Sequence, residues 1–326
     1  MTRFDGRLAS FALLAVSTFT LPALGQQQVP AAPPEAPTAP APAQAPMFPP
    51  VNQKNFTSAS PTAEQVNAFL HASWGYDVNR VWQVAAVGKT MVPGLSKVVV
   101  YVGDKTGKEK PGAFSFFALP DGKHIIAGED VYPFGANPYA EYRAKIQAEA
   151  NGPYKGAVSK DLELVEFADF QCPHCKEAQP NMEKLAQDFP KARIIFVNYP
   201  LETIHPQAKL AAEYAVCAGK LGGSTAFFTF AGAAFDGQEG LTSADGAQLT
   251  LNSAVTKAGL DPQKVAACAA APETSAEVEK QVKLAEDLNI HQTPTLVING
   301  RQVNANMTYD ELKKIIEFQM SMDSIK

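Results

Sequence analysis

Two cysteines with two residues between them, Cys172-Pro173-His174-Cys175, stand between a largely apolar run at 162–169 and a segment of helical spacing at 173–189. Such a run reads as a buried strand, and Pro173 suits the first turn of a helix. The remaining C-terminal half obeys the same grammar. A second apolar run lies at 193–198, helical stretches without a convincing strand fill 204–289, and short strands at 295–299 and 302–304 flank the tight-turn pair Asn299-Gly300. An amphipathic helix at 309–320 closes the chain. Strand–helix–strand, a helical insertion, then hairpin–helix describes one α/β layer interrupted once.

The pair's position explains its chemistry. At a helix N-terminus the free backbone N–H groups and the positive end of the macrodipole favour a thiolate over a thiol. Cys172 is expected at that edge, facing solvent, with Cys175 one turn on and close enough to bridge. His174, when protonated, adds positive charge beside the Cys172 sulfur. A thiolate so stabilised leaves easily, which makes the bridged form a strong oxidant. Two competing uses of the pair fit less well. Covalent haem attachment requires His directly after the second cysteine, where Lys176 stands. A zinc site requires two further ligands, usually a second close pair, whereas Cys217 and Cys268 are far apart in sequence.

Glu166-Phe-Ala-Asp-Phe-Gln-Cys172-Pro-His-Cys175-Lys176 resembles the active-site segment of the DsbA-like branch of the thioredoxin superfamily. Pro180 matches the proline that kinks the active-site helix, and Thr293-Pro294 matches the cis-proline facing the dithiol. The resemblance covers about 155–326 and implies a thioredoxin-like fold with a helical insertion at about 204–289. It implies catalytic roles for Cys172, Cys175, His174, Pro294 and Glu166, and substrate contact at Thr293 and Pro173. Bottom-up reasons stand beside it. Only X-Pro bonds reach the cis form readily, and a cis bond at Pro294 leaves the Thr293 backbone free for a substrate strand. Glu166 interrupts an apolar strand, where a carboxylate is costly unless partnered or protonated. In relatives such an acid relays the proton of the second cysteine.

Cys217 and Cys268 both fall in the helical insertion and are expected to form a structural disulfide, since an even pair in an oxidising compartment bridges. His205 and His291 border the motif segments and read as structural or surface residues. No metal and no cofactor is expected beyond the redox-active Cys172–Cys175 disulfide.

The N-terminal half is organised differently. Residues 1–25 read as a cleaved secretory signal: Arg3 and Arg7, an uncharged stretch from 8 to 24, and Ala23-Leu24-Gly25. A retained anchor is the alternative. Nine prolines fall within 30–50, so 26–50 reads as a Pro/Ala-rich linker. Residues 51–150 read as a small α+β domain: a helix from 61, strands at 81–87, 97–102 and 113–118, a turn at Pro120-Asp-Gly-Lys123 and a connecting helix at 137–150. The fold class is therefore α/β, a thioredoxin-like domain at 151–326 preceded by that small α+β domain.

Together these features predict an extracytoplasmic, soluble disulfide oxidoreductase acting on folding exported proteins and recharged by a membrane redox partner. A disulfide isomerase or reductase forming a homodimer through 51–150 is the alternative, and a Cys/His metal carrier a more distant one. A net charge of -5 argues against nucleic acid as a partner.

Overall fold

The structure, a computed structural model, describes residues 47–107 and 110–325. The expected leader at 1–25 and most of the 26–50 linker lie outside the described residues. Residues Pro46–Lys326 form one compact unit built on two five-stranded sheets.

The first sheet is an antiparallel meander of β1 (Arg80–Lys89), β2 (Ser96–Asp104), β3 (Gly112–Ala118), β4 (His124–Ala127) and β5 (Asp130–Pro133). Alternation places Val84, Val98, Val100, Phe116 and Ile125 on one face, against Val66, Phe69 and Leu70 of α1 (Ala63–Trp74). That helix begins in a capping box, with Thr62 and Gln65 each satisfying the other's backbone N–H. The opposite sheet face leaves Phe117 and Val131 exposed. The turn at 120–123 forms as the sequence suggests, with Asp121 Oδ1 accepting from the Lys123 and His124 N–H groups.

The second sheet has the order β10-β9-β7-β8-β6. It comprises β6 (Tyr154–Gly156), β7 (Glu163–Ala168), β8 (Arg193–Asn198), β9 (Thr295–Ile298) and β10 (Arg301–Asn304). Strands β7 and β8 are parallel and all other pairs antiparallel. Every residue of β7 is buried, because helices cover both faces. On one face lie α3 (Pro173–Asp188) and α8 (Tyr309–Met322); on the other lie α2 (Ala140–Glu149) and α7 (Pro272–Asp287). Between β8 and α7 the insertion adds α4 (Ala208–Asp236), α5 (Ala244–Lys257) and α6 (Pro262–Ala269). Helix α4 breaks at Gly223, whose φ of 72° suits a residue without a side chain.

Two differences from the sequence reading have physical causes. Strands β5 and β6, of four and three residues, are too short to show a periodic pattern. The connecting helix α2 packs Ile146 among Val165, Phe167, Ile195 and Val297 of the second sheet, so the packing does not divide at 150. Arg301 on β10 ties the halves further. It is 3% exposed, donates to the Ala72 and Ser73 carbonyls at the end of α1 and to Tyr139 Oη, and bonds Gln319 through Nε. A cation at a helix C-terminus also complements the macrodipole.

Candidate active site

Strand β7 runs up the middle of its sheet and delivers the chain to Cys172, the N-cap of α3, with Pro173 in the first turn. Pro180 lies inside the same helix. Both cysteines are free thiols. Cys172 Sγ faces the Thr293 carbonyl oxygen at 3.7 Å, and the Thr293–Pro294 bond is cis. The expectation that Cys172 faces solvent is corrected: only 5% of its surface is exposed, and none of Cys175 is. The reason is closure from two sides. The Thr293 loop covers one flank, and Gln238, just after α4, donates to the Phe170 and Cys172 carbonyls at 2.8 and 2.9 Å on the other.

The two sulfurs are driven apart electrostatically. Cys172 falls from its ordinary 9.0 to about 5, first through its hydrogen bond with Cys175, against the opposing effect of burial. The Thr293 hydroxyl, buried and satisfied by no other described group, lowers it too, as do the backbone N–H groups of Cys175 and His174. Burial pushes the Cys175 thiol strongly up, and its bond to Cys172 adds to that. The Asp169 N–H, 3.4 Å from the Cys175 sulfur, works in the opposite direction. His174 contributes differently from the sequence expectation. Its exposed imidazole turns to Glu177, 2.8 Å away, which is the main cause of its raised pKa; the Cys172 charge adds to that rise, and the His174 backbone N–H also lowers Cys172.

Glu166 is 3% exposed beneath the dithiol, and burial pushes it up to about 7. Gln179 Nε2, 2.9 Å away, and the charge of Lys155 oppose that rise. Lys155 is itself lowered by burial and lies 5.0 Å from the Phe228 ring. Gln179 also donates to the Cys175 carbonyl at 3.0 Å, linking the acid to the helix that carries the second cysteine.

Asp169 escaped the sequence reading. Its side chain is fully buried, accepting from Gln171 N–H at 2.7 Å through Oδ1 and from Leu201 N–H at 2.8 Å through Oδ2, with His205 Nδ1 at 2.7 Å from Oδ2. It thereby locks the active-site loop to the start of the insertion. An acid ending an apolar strand three residues before Cys172 was the available signal. His205 is its partner, whereas His291 is exposed on the loop before Thr293. Cys217 and Cys268 form a disulfide joining α4 to α6, with Cα atoms 5.9 Å apart. Among the described residues no group of three or more His, Cys, Asp or Glu is placed to hold a metal ion.

The arrangement suits exchange of a disulfide between Cys172 and a visiting thiol: a thiolate held ready, a buried partner kept as thiol, and an acid able to carry its proton. Comparison with known proteins agrees on the fold. Na(+)/H(+) antiporter NhaA 3 of Salinispora tropica is 29% identical over 148 residues, 45% of this chain and 22% of that protein. The antiporter NhaA 1 of Salinispora arenicola is 28% identical over 162 residues, 50% and 24% of the two chains. The chain thus spans less than a quarter of the curated relatives it matches. Among the described residues no helix is long and apolar enough to cross a membrane. A thioredoxin-like oxidoreductase from Silicibacter pomeroyi aligns with TM-score 0.48 and 22% identity over 55% of this chain and 98% of its own. A periplasmic thioredoxin-like protein from Salmonella enterica serovar Typhimurium aligns with TM-score 0.46 and 20% identity, over 56% and 97%. The family model described as Thioredoxin matches residues 149–318, just over half of the chain. The chain belongs to the thioredoxin family, with a helical insertion between β8 and α7.

Proposed function

We propose that this protein is an extracytoplasmic thiol–disulfide oxidoreductase that works as a dithiol oxidase on folding exported proteins. The observation that carries this reading is the separation of the two sulfurs, Cys172 lowered to about 5 and Cys175 raised by burial. In the oxidised form a client thiolate attacks Cys172 Sγ. A client–Cys172 disulfide forms, the Cys172–Cys175 bond breaks, and the Cys175 thiolate leaves with the electron pair. Glu166, poised near 7 and near enough for its charge to act on the Cys175 sulfur, supplies a proton to that buried thiolate. A second client thiolate then attacks the client sulfur of the mixed disulfide and releases Cys172 as thiolate. Two electrons pass from the client dithiol to the protein, and the low Cys172 pKa makes that last departure favourable. His174 and Pro173 frame the helix start, while Thr293 and Pro294 present backbone to the client.

The disulfide itself is the redox group, and no other cofactor enters these steps. Return to the oxidised form needs an external oxidant, for which a quinone-linked membrane partner is the class this reading takes. The Cys217–Cys268 bridge supports an oxidising compartment, since such bonds persist outside the reducing cytosol. Isomerase or reductase action, with pairing of two copies through 51–150, is the competing use of the same site. The lowered Cys172 favours the oxidase, because it stabilises the reduced product of the reaction. Replacing Cys175 by Ser tests the reading. Mixed disulfides between Cys172 and exported proteins should accumulate, identifiable by mass spectrometry. A redox potential in the strongly reducing range of thioredoxins would reverse the assigned direction.

A further inference from the structure

Asp169 follows the last residue of β7 and touches both cysteines through its main chain. Its N–H donates toward Cys175 Sγ at 3.4 Å, and its carbonyl accepts the Cys172 N–H at 3.1 Å. Asp169 and Cys175 are both buried, so the contact at the second sulfur is shielded from water. The side chain has partners of its own. Oδ1 accepts from the Gln171 N–H, Oδ2 accepts from the Leu201 N–H, and His205 Nδ1 stands 2.7 Å from Oδ2. A carboxylate only accepts, so Nδ1 carries the proton of that bond. His205 is anchored in turn, its N–H donating to the Leu201 carbonyl at 2.9 Å. Three donors thus converge on one enclosed carboxylate, one from the active-site loop and two from the start of the insertion. Without them a carboxylate in that place would be costly.

We propose that Asp169 is a positioning residue of the exchange reaction, on whose reading this rests: its carboxylate, braced by Gln171, Leu201 and His205, fixes the Asp169 N–H on Cys175 Sγ to stabilise the charge that sulfur carries as it leaves or attacks. When a client thiolate attacks Cys172 Sγ, the client–Cys172 bond forms, the Cys172–Cys175 bond breaks, and the electron pair passes to Cys175 Sγ. That charge arises where burial opposes it, and the Asp169 N–H acts against the burial. The donor is in place before the charge appears, so nothing has to reorganise when it does. A better stabilised thiolate leaves faster. Once Glu166 has returned its proton, Cys175 is a neutral thiol and the N–H has little left to stabilise. Asp169 therefore governs how fast the pair opens and closes, whereas the lowered Cys172 governs how far.

The reduced full-length protein mixed with the chromogenic disulfide dithiobis(nitrobenzoate) separates the two sulfurs. Cys172 thiolate attacks the reagent, joins one half of it and releases the first nitrothiobenzoate at a rate set by reagent concentration. Cys175, its proton passed to Glu166, then attacks Cys172 Sγ, closes the Cys172–Cys175 bond and expels the second nitrothiobenzoate at a rate independent of concentration. Asp169→Asn keeps the size of the side chain but leaves one acceptor for two N–H donors. It should slow the second release about fivefold, the part of a charged hydrogen bond felt in the transition state, and leave the first release and the equilibrium with glutathione unchanged. An unchanged second release would overturn the proposal. So would equal slowing of both releases with a shifted Cys172 titration, which would reduce Asp169 to holding the loop together. If Asp169→Asn does not fold, the partly exposed His205 decides. His205→Leu should slow the second release about twofold, and His205→Asn, which offers an N–H where Nδ1 stood, should restore it; equal rates for the two would end the idea. A first release no faster than that of free cysteine would sink the exchange reading alone, since the second release still judges Asp169. A protein that never yields the second equivalent would overturn both.

Discussion

The two sheets of this protein use burial in opposite ways. The second is covered by helices on both faces, and its central strand β7 is buried throughout, Glu163 and Glu166 included. The first is covered by α1 on one face and leaves Phe117 and Val131 exposed on the other. Enclosure makes chemistry: burial drives Glu166 to about 7 and the Cys175 thiol up, while hydrogen bonds hold Cys172 at about 5 against it. Openness leaves apolar surface for contact. The comparison teaches that reactivity in this fold arises where polar groups are denied water.

The strongest way to sharpen that contrast is pH. Cys172 is lowered in the folded, reduced protein, so its contribution to stability is complete above its ordinary 9.0 and disappears as pH falls through about 5. At about 1.4 kcal/mol per unit, the reduced form should lose about 5 kcal/mol relative to the oxidised form between those limits. Glu166, raised by burial, pulls the other way, since it costs stability as pH rises from its ordinary 4.5 to about 7. Denaturant unfolding of each form across that range is the check, and a pH-independent gap would refute the thiolate.

Arg301→Met probes the seam between the regions. It strips the Ala72 and Ser73 carbonyls of their donor and should cost about 3 kcal/mol in unfolding free energy. Loss of the Cys217–Cys268 bridge by double replacement with Ala should cost about 4 kcal/mol of chain entropy or less, spread over the insertion rather than the first sheet. Hydrogen exchange would show where protection falls.

Glu166→Gln keeps the shape but removes the proton carrier. Exchange should slow about tenfold near neutral pH, with the pH dependence near 7 abolished, while thiolate absorbance still titrates Cys172 near 5. The smallest effect belongs to the open sheet. Phe117→Ser, on its exposed face, should move stability by within about 0.5 kcal/mol and leave exchange rates unchanged, which a larger shift on either measure would contradict.

Much of this was legible in the residues because local rules act locally. The Cys-x-x-Cys pair, its strand and helix, the Asn299-Gly300 turn and the hairpin at 120–123 all follow from spacing and turn chemistry. The Cys217–Cys268 bridge followed from compartment logic and is present. What escaped was decided by contacts distant in sequence. Asp169 meets His205 and Leu201 only because the insertion returns to the top of β7. Cys172 is covered because Thr293 and Gln238 close on it from separate parts of the chain.

By itself the sequence determined the order of elements, the reactive pair and the acid beneath it, since period, propensity and helix-end electrostatics are properties of neighbouring residues. The tertiary structure alone decided which hydrogen bonds lower Cys172, where α2 packs and how Arg301 joins the halves. Those depend on desolvation and on partners brought together across the chain, and no local pattern carries either.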